Sequence, residues 1–159
     1  MGDMLINAIS PINRLKGEKG QDIVEFALVL PILALLLFGI IDYGWIFFNE
    51  ARIGNAAREG ARFAVMNYKE AEASKGALTT EAYLKTQVED NVKDVLPDNL
   101  KSPGANLTVT VGKITNAPGD EKIVVTVSAE VKLFTPVVST IINSQRYTVR
   151  KQVAMKKMN

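Results

Sequence analysis

The chain has no cysteine and no histidine in its 159 residues. Lack of cysteine excludes disulfides, thiolate metal sites and cysteine nucleophiles, and lack of histidine removes the commonest general base and zinc ligand. Strong charge is missing too: a net +2 is too small to argue for nucleic acid as a partner. No calcium-loop spacing, glycine-rich phosphate loop or nucleophile elbow occurs. Asp90 and Asp94 share a helix face, but paired carboxylates need a cleft to become catalytic, and a polar helix face offers none. The expectation is a protein that is not an enzyme, with no catalytic residue, no metal and no cofactor.

Charge is scarcest between Ile23 and Ile41, where Glu25 is the sole ionisable residue. Nineteen residues rise about 29 Å as a helix, close to a hydrocarbon core of about 30 Å. A cleaved secretory signal would have a shorter apolar core and a small-x-small site at its end, whereas this run ends Gly39-Ile40-Ile41-Asp42-Tyr43. Arg14, Lys16 and Lys19 precede the run and Arg52 and Arg58 follow it. That balance leans toward a cytoplasmic N-terminus.

Glu25 asks for a partner, because a carboxylate in hydrocarbon costs roughly 2.5–3.5 kcal/mol even on a lenient insertion scale. Cleavage after Gly20 would free an α-amino group on Gln21, with an intrinsic pKa of about 7.7–8.0, and a neighbouring subunit could present that cation to Glu25. The plainer alternative is a Glu25 that snorkels from its place near the cytoplasmic edge. Phe26 completes the pattern at the mouth of the run.

Four segments follow. Residues 1–20 are polar and read as a leader; 21–41 form the membrane helix; 42–68 continue it outside the membrane; 69–159 form an extracytoplasmic α+β domain. Between Pro31 and Pro97 there is no proline to stop a helix, so one helix is expected from about Asp22 to Tyr68, with a kink possible at Pro31. Ala56, Gly60 and Ala64 form a four-residue stripe of small side chains, which lets another helix or a sheet approach closely. Arg58, Glu59 and Arg62 read as solvated or paired along the helix.

Residues 67–80 are polar and read as a loop. Thr79-Thr80 then caps a second helix whose Leu84, Val88, Val92 and Val95 recur on one face, with Glu89 and Lys93 paired across a turn, and Pro97 ends it. Beyond Pro103-Gly104 the period falls to two. Leu107, Val109 and Val111 form one strand and Ile123 to Leu133 the next, and the turn cluster Asn116-Ala117-Pro118-Gly119-Asp120 makes them an antiparallel hairpin. Thr135-Pro136 starts a short apolar piece to Ile142, read as a helical excursion, and Tyr147, Val149 and Val153 mark a third strand. The fold class expected is α+β: a long N-terminal transmembrane helix that continues into a small domain with a short helix and a three-stranded antiparallel sheet. Three strands with one apolar face are marginal alone, so the sheet needs the helix. Arg146, Arg150, Lys151, Lys156 and Lys157 make the C-terminus basic, read first as protection of an edge strand and second as attraction to anionic lipid.

Three stretches together, Gly20-Gln21-Asp22-Ile23-Val24-Glu25-Phe26-Ala27-Leu28-Val29-Leu30-Pro31, Phe38-Gly39-Ile40-Ile41-Asp42-Tyr43-Gly44 and Asn55-Ala56-Ala57-Arg58-Glu59-Gly60-Ala61-Arg62, resemble the TadE-like proteins of the tight-adherence (Tad) pilus system. Those are small pilin-like subunits, or pseudopilins. The resemblance implies processing after Gly20 by a prepilin peptidase, with Gln21 as the mature N-terminus. It also implies a single-pass anchor in inner membrane lipid, and assembly with other pilin or pseudopilin subunits by the Tad machinery into a filament for surface adherence. The length of the soluble part favours a minor subunit. The alternative from another class is a membrane-tethered extracytoplasmic binding module that never enters a filament.

Overall fold

A computed structural model describes residues 15–76, 78–115, 120–141 and 143–157. Most of the expected leader (1–14), residues 116–119 of the turn cluster, and Ile142 lie outside the described residues.

Helix α1 runs Leu15–Met66 without a break, through Pro31. Its 52 residues correspond to about 78 Å. It starts before the expected Asp22 and so takes in Gly20: Leu15 to Gln21 hold no proline, and Gly17 and Gly20 weaken a helix without stopping it. It also ends two residues short of Tyr68. The break is at Asn67, whose side-chain amide and backbone N–H both donate to the Phe63 carbonyl, at 2.9 and 3.1 Å. A side chain that competes for the last carbonyls in this way ends a helix locally.

Residues after the break are not the loop that their polarity suggested. They form α2, Tyr68–Ser74, with Tyr68 and Ala71 buried. Lys69, Glu70, Ala71, Glu72 and Ala73 are good helix formers, and two apolar contacts three residues apart suffice to hold one face. Helix α3, Thr80–Val95, begins at Thr79, whose hydroxyl accepts from the Ala82 N–H at 3.2 Å. Leu84, Val88 and Val92 are buried as expected, but Val95 is 49% exposed and Leu96 takes the core position. The reason is local: Leu96 is already extended, at ψ 149°, as the residue before a proline prefers, and that swing turns its side chain inward. Two short pieces follow, α4 at Asp98–Lys101 and a 3₁₀ turn at Pro103–Ala105, which bury Leu100 and Ala105.

The sheet has strand order β1-β2-β3, all antiparallel: β1 Thr108–Thr115, β2 Glu121–Lys132 and β3 Arg146–Lys156. Helix α5, Pro136–Ile141, lies between β2 and β3. Register places Val109, Val127 and Lys151 side by side, and Val111, Val125 and Val153 likewise. One face of β2, with Ile123, Val125, Val127, Ala129 and Val131, is buried in the same core as the second half of α1 and as α3. The structure is therefore α+β, with a long apolar helix and a three-stranded antiparallel sheet.

Candidate functional site

The site residues expected from the sequence all lie on α1, and they divide at Asp42. From Gly20 to Ile41 every residue is exposed or half-exposed to its surroundings. Mean hydropathy in this part reaches 2.7, and none of that window is buried by the protein. This is a candidate membrane anchor by length and composition. Gly20, Gln21, Glu25 and Phe26 all sit here on exposed helix, Phe26 at 63%. Among the described residues Glu25 has no ion-pair or hydrogen-bond partner within its own chain. Gln21 and Glu25 are one turn apart on the same side of α1.

From Asp42 the same helix is clamped to its domain. Asp42 is buried, and its Oδ1 accepts the N–H of Phe134 at 2.7 Å and that of Thr135 at 3.1 Å, while Oδ2 accepts the Thr135 hydroxyl. Three donors on one carboxylate offset the cost of taking it out of water. Asn49, one heptad further and also buried, donates to the Trp45 carbonyl at 2.7 Å and accepts from Asn99 at 2.9 Å. Glu50 pairs with Lys151 of β3. Sequence reading missed all three. The available signal was spacing: Asp42, Asn49 and Glu50 stand at i, i+7 and i+8, so they share one face of a helix.

The small-residue stripe lies further along this face. Ala56, Gly60 and Ala64 are buried. A Cβ on Gly60 would stand 2.8 Å from a methyl of Val92, 3.2 Å from one of Val88 and 3.5 Å from one of Val125. Both a helix and a sheet approach the stripe: at Gly60 it meets the chain's own α3 and β2. Arg58, Glu59 and Arg62 remain exposed, with Arg58 bonded to Asn55 at 2.9 Å. Glu89 and Lys93 pair at 2.8 Å, and that contact raises the Lys93 pKa.

The basic C-terminus belongs to β3, which is an edge strand. Much of its charge is compensated: Arg146 meets Glu130, Lys151 meets Glu50, and Lys157 meets Glu121 at 3.2 Å. Glu121 also holds Lys113 at 2.7 Å. These two hydrogen bonds lower the Glu121 pKa, and the Glu121 contact raises that of Lys113. The Lys157 ammonium lies 4.6 Å from the centre of the Tyr68 ring. Burial, with Glu81 nearby, pushes the Tyr68 hydroxyl up. This cluster closes the far end of the domain against the end of α1.

Fold and site together define, among the described residues, one membrane-length helix whose far half is integrated into a small α+β domain. Residues 20–62 match the family model described as TadE-like protein, so this part of α1 is TadE-like in sequence. The matched segment spans both halves of the helix and contains Gly20, Glu25, Asp42 and Gly60. No curated protein matches the chain. No solved structure matches it either.

Proposed function

We propose that this protein is a TadE-like minor pilin or pseudopilin, processed after Gly20 by a prepilin peptidase and assembled with other pilin subunits in a Tad-type pilus for surface adherence. One observation carries the reading: the domain closes on α1 only from Asp42 onward and leaves a spanning-length apolar segment, with Glu25 in it, uncovered. Such a surface needs lipid, the helices of neighbouring subunits, or each in turn. In this mechanism the helix anchors the subunit in the inner membrane with its C-terminal domain outside the cytoplasm. It then packs among pilin helices, where Glu25 neutralises the Gln21 amine of a neighbour. Processing is what creates that amine, so Gly20 acts before Glu25.

The test is intact mass and N-terminal sequence of the membrane-extracted protein, from cells with and without the prepilin peptidase. A mature chain that begins at Gln21 only when the peptidase is present is the expected result. A chain that keeps its leader in both strains leaves Glu25 without its partner and favours the tethered binding module. Glu25→Ala is expected to be processed normally but recruited poorly, and normal incorporation would remove Glu25 from the mechanism.

A further inference from the structure

We propose that Phe134 and helix α5 form a second membrane contact, a foot seated among phospholipid headgroups where α1 leaves the bilayer. The proposal rests on the anchor reading above and adds to it a site on the folded domain.

Depth is fixed by geometry. If Ile23 to Ile41 fill the hydrocarbon core, Asp42 lies about 1.5 Å beyond it and Phe48 about 10 Å beyond. The headgroup layer on each side is about 5–8 Å thick, the difference between a core of about 30 Å and a whole bilayer of about 40–45 Å. Asp42 binds the backbone of Phe134 and Thr135 directly, and α5 follows at Pro136 and packs on α1. Wherever α1 emerges, this loop emerges with it.

The chemistry suits that depth. Phe134 is 73% exposed, yet its ring meets Trp45 edge-on with centroids 6.0 Å apart, and Trp45 stacks on Phe48. Tyr43, about 3 Å beyond the core by the same rise, is also exposed, whereas Phe48 stands past the headgroup layer and only backs Trp45. Left in water, this is an uncovered aromatic cluster that continues the apolar surface ending at Ile41. At a bilayer surface it is an aromatic belt. Helix α5 also satisfies its own polar groups: the hydroxyls of Ser139 and Thr140 both donate to the Pro136 carbonyl, at 2.9 and 2.7 Å. Beside Phe134 and Trp45 opens a cleft of about 340 Å³ that Lys132 also lines; its ammonium supplies the counter-charge for a lipid phosphate.

Since the chain has no cysteine, Leu33→Cys, Phe134→Cys and Ile114→Cys each create a single attachment point for a spin label, all at exposed positions. The full chain is reconstituted in vesicles of phosphatidylethanolamine and phosphatidylglycerol. Collision of each label with oxygen, which prefers lipid, is compared with collision with a water-soluble nickel chelate. The expected oxygen-to-nickel ratio is highest at 33, lowest at 114, and several-fold higher at 134 than at 114. A label at 33 that the nickel chelate reaches freely overturns the anchor itself. A lipid-buried 33 with a 134 as aqueous as 114 overturns the foot alone, including the case in which 134 becomes shielded only when further subunits are present.

Discussion

The two halves of α1 are continuous in backbone and opposite in design. Up to Ile41 the helix presents Leu, Ile, Val and Phe outward, and its own domain covers none of the apolar window. After Asp42 one face turns to Ala and Gly, and large side chains come from the other partner, Val88 and Val92 of α3 and Val125 of β2. Hydrophobicity alone therefore does not say where a helix is buried. Side-chain size does better, because small residues let folded backbone approach and large ones fill a fluid surround that adapts to them.

The largest effect expected from testing this contrast is at Gly60. Gly60→Leu drives a branched side chain into Val92 and Val88 and is expected to destabilise the domain by about 3 kcal/mol, the upper part of the usual range for overpacking. Thermal unfolding in detergent measures it, and an unchanged midpoint would refute the close approach. Leu33 gives the mirror case. Leu33→Ala is expected to leave domain unfolding unchanged, whereas Leu33→Arg costs about 2.5–3.5 kcal/mol of insertion and lowers the fraction recovered with membranes. A shift in domain unfolding for either variant would mean that the halves are not separate.

At the boundary, Asp42→Ala leaves two N–H groups and one hydroxyl without their acceptor. The expected loss is about 2 kcal/mol, within the cost of about 1–3 kcal/mol for a buried unsatisfied group, since the loop can swing toward water. Hydrogen exchange at Thr135 reports it directly, and equal protection in both proteins would free Asp42 from the clamp. The smallest effect lies at the far end. Glu121 is held below its ordinary pKa by Lys113 and Lys157, so its contribution is fully present above the normal carboxylate range and is lost as pH falls through the lowered value. The raised Lys113 works in the other direction: its share is present below the normal lysine range and is lost as pH rises through the raised value. Lys113 is exposed and Glu121 half-exposed, so solvent and salt screen the effect. A Lys113→Met variant whose acid unfolding midpoint matches that of the parent would assign the pH dependence elsewhere.

Much of the fold was legible because it is periodic. The apolar run, the Leu84-Val88-Val92 face and the alternation in β2 each repeat with the pitch of their element. Helix α2 was hidden because a short polar helix has the composition of a loop, and Val95 was misplaced because the turn at Leu96 is set by the next residue, Pro97, rather than by helical period. Asp42 was legible only as the end of the run. Its role needs Phe134 and Thr135, which lie 92 and 93 residues away in sequence, and no local pattern announces a contact at that range. Gly60 could be read as a place of close approach, but which surface approaches is decided by the register of α3 and β2.

The continuity of α1 also makes it a lever. In a bilayer, a tilt of about 20° is ordinary for a single helix. Met66 stands 24 residues past Asp42 on the same unbroken helix, or about 36 Å, so such a tilt swings the far end of the domain sideways by about 12 Å. From Asp42 to Met66 the helix is unbroken, and Asp42, Asn49, Glu50 and the Gly60 contact bolt the domain to it along that length. In the anchor proposed above, a tilt of the membrane half is delivered, magnified, to the end of the sheet where Lys113 meets Glu121.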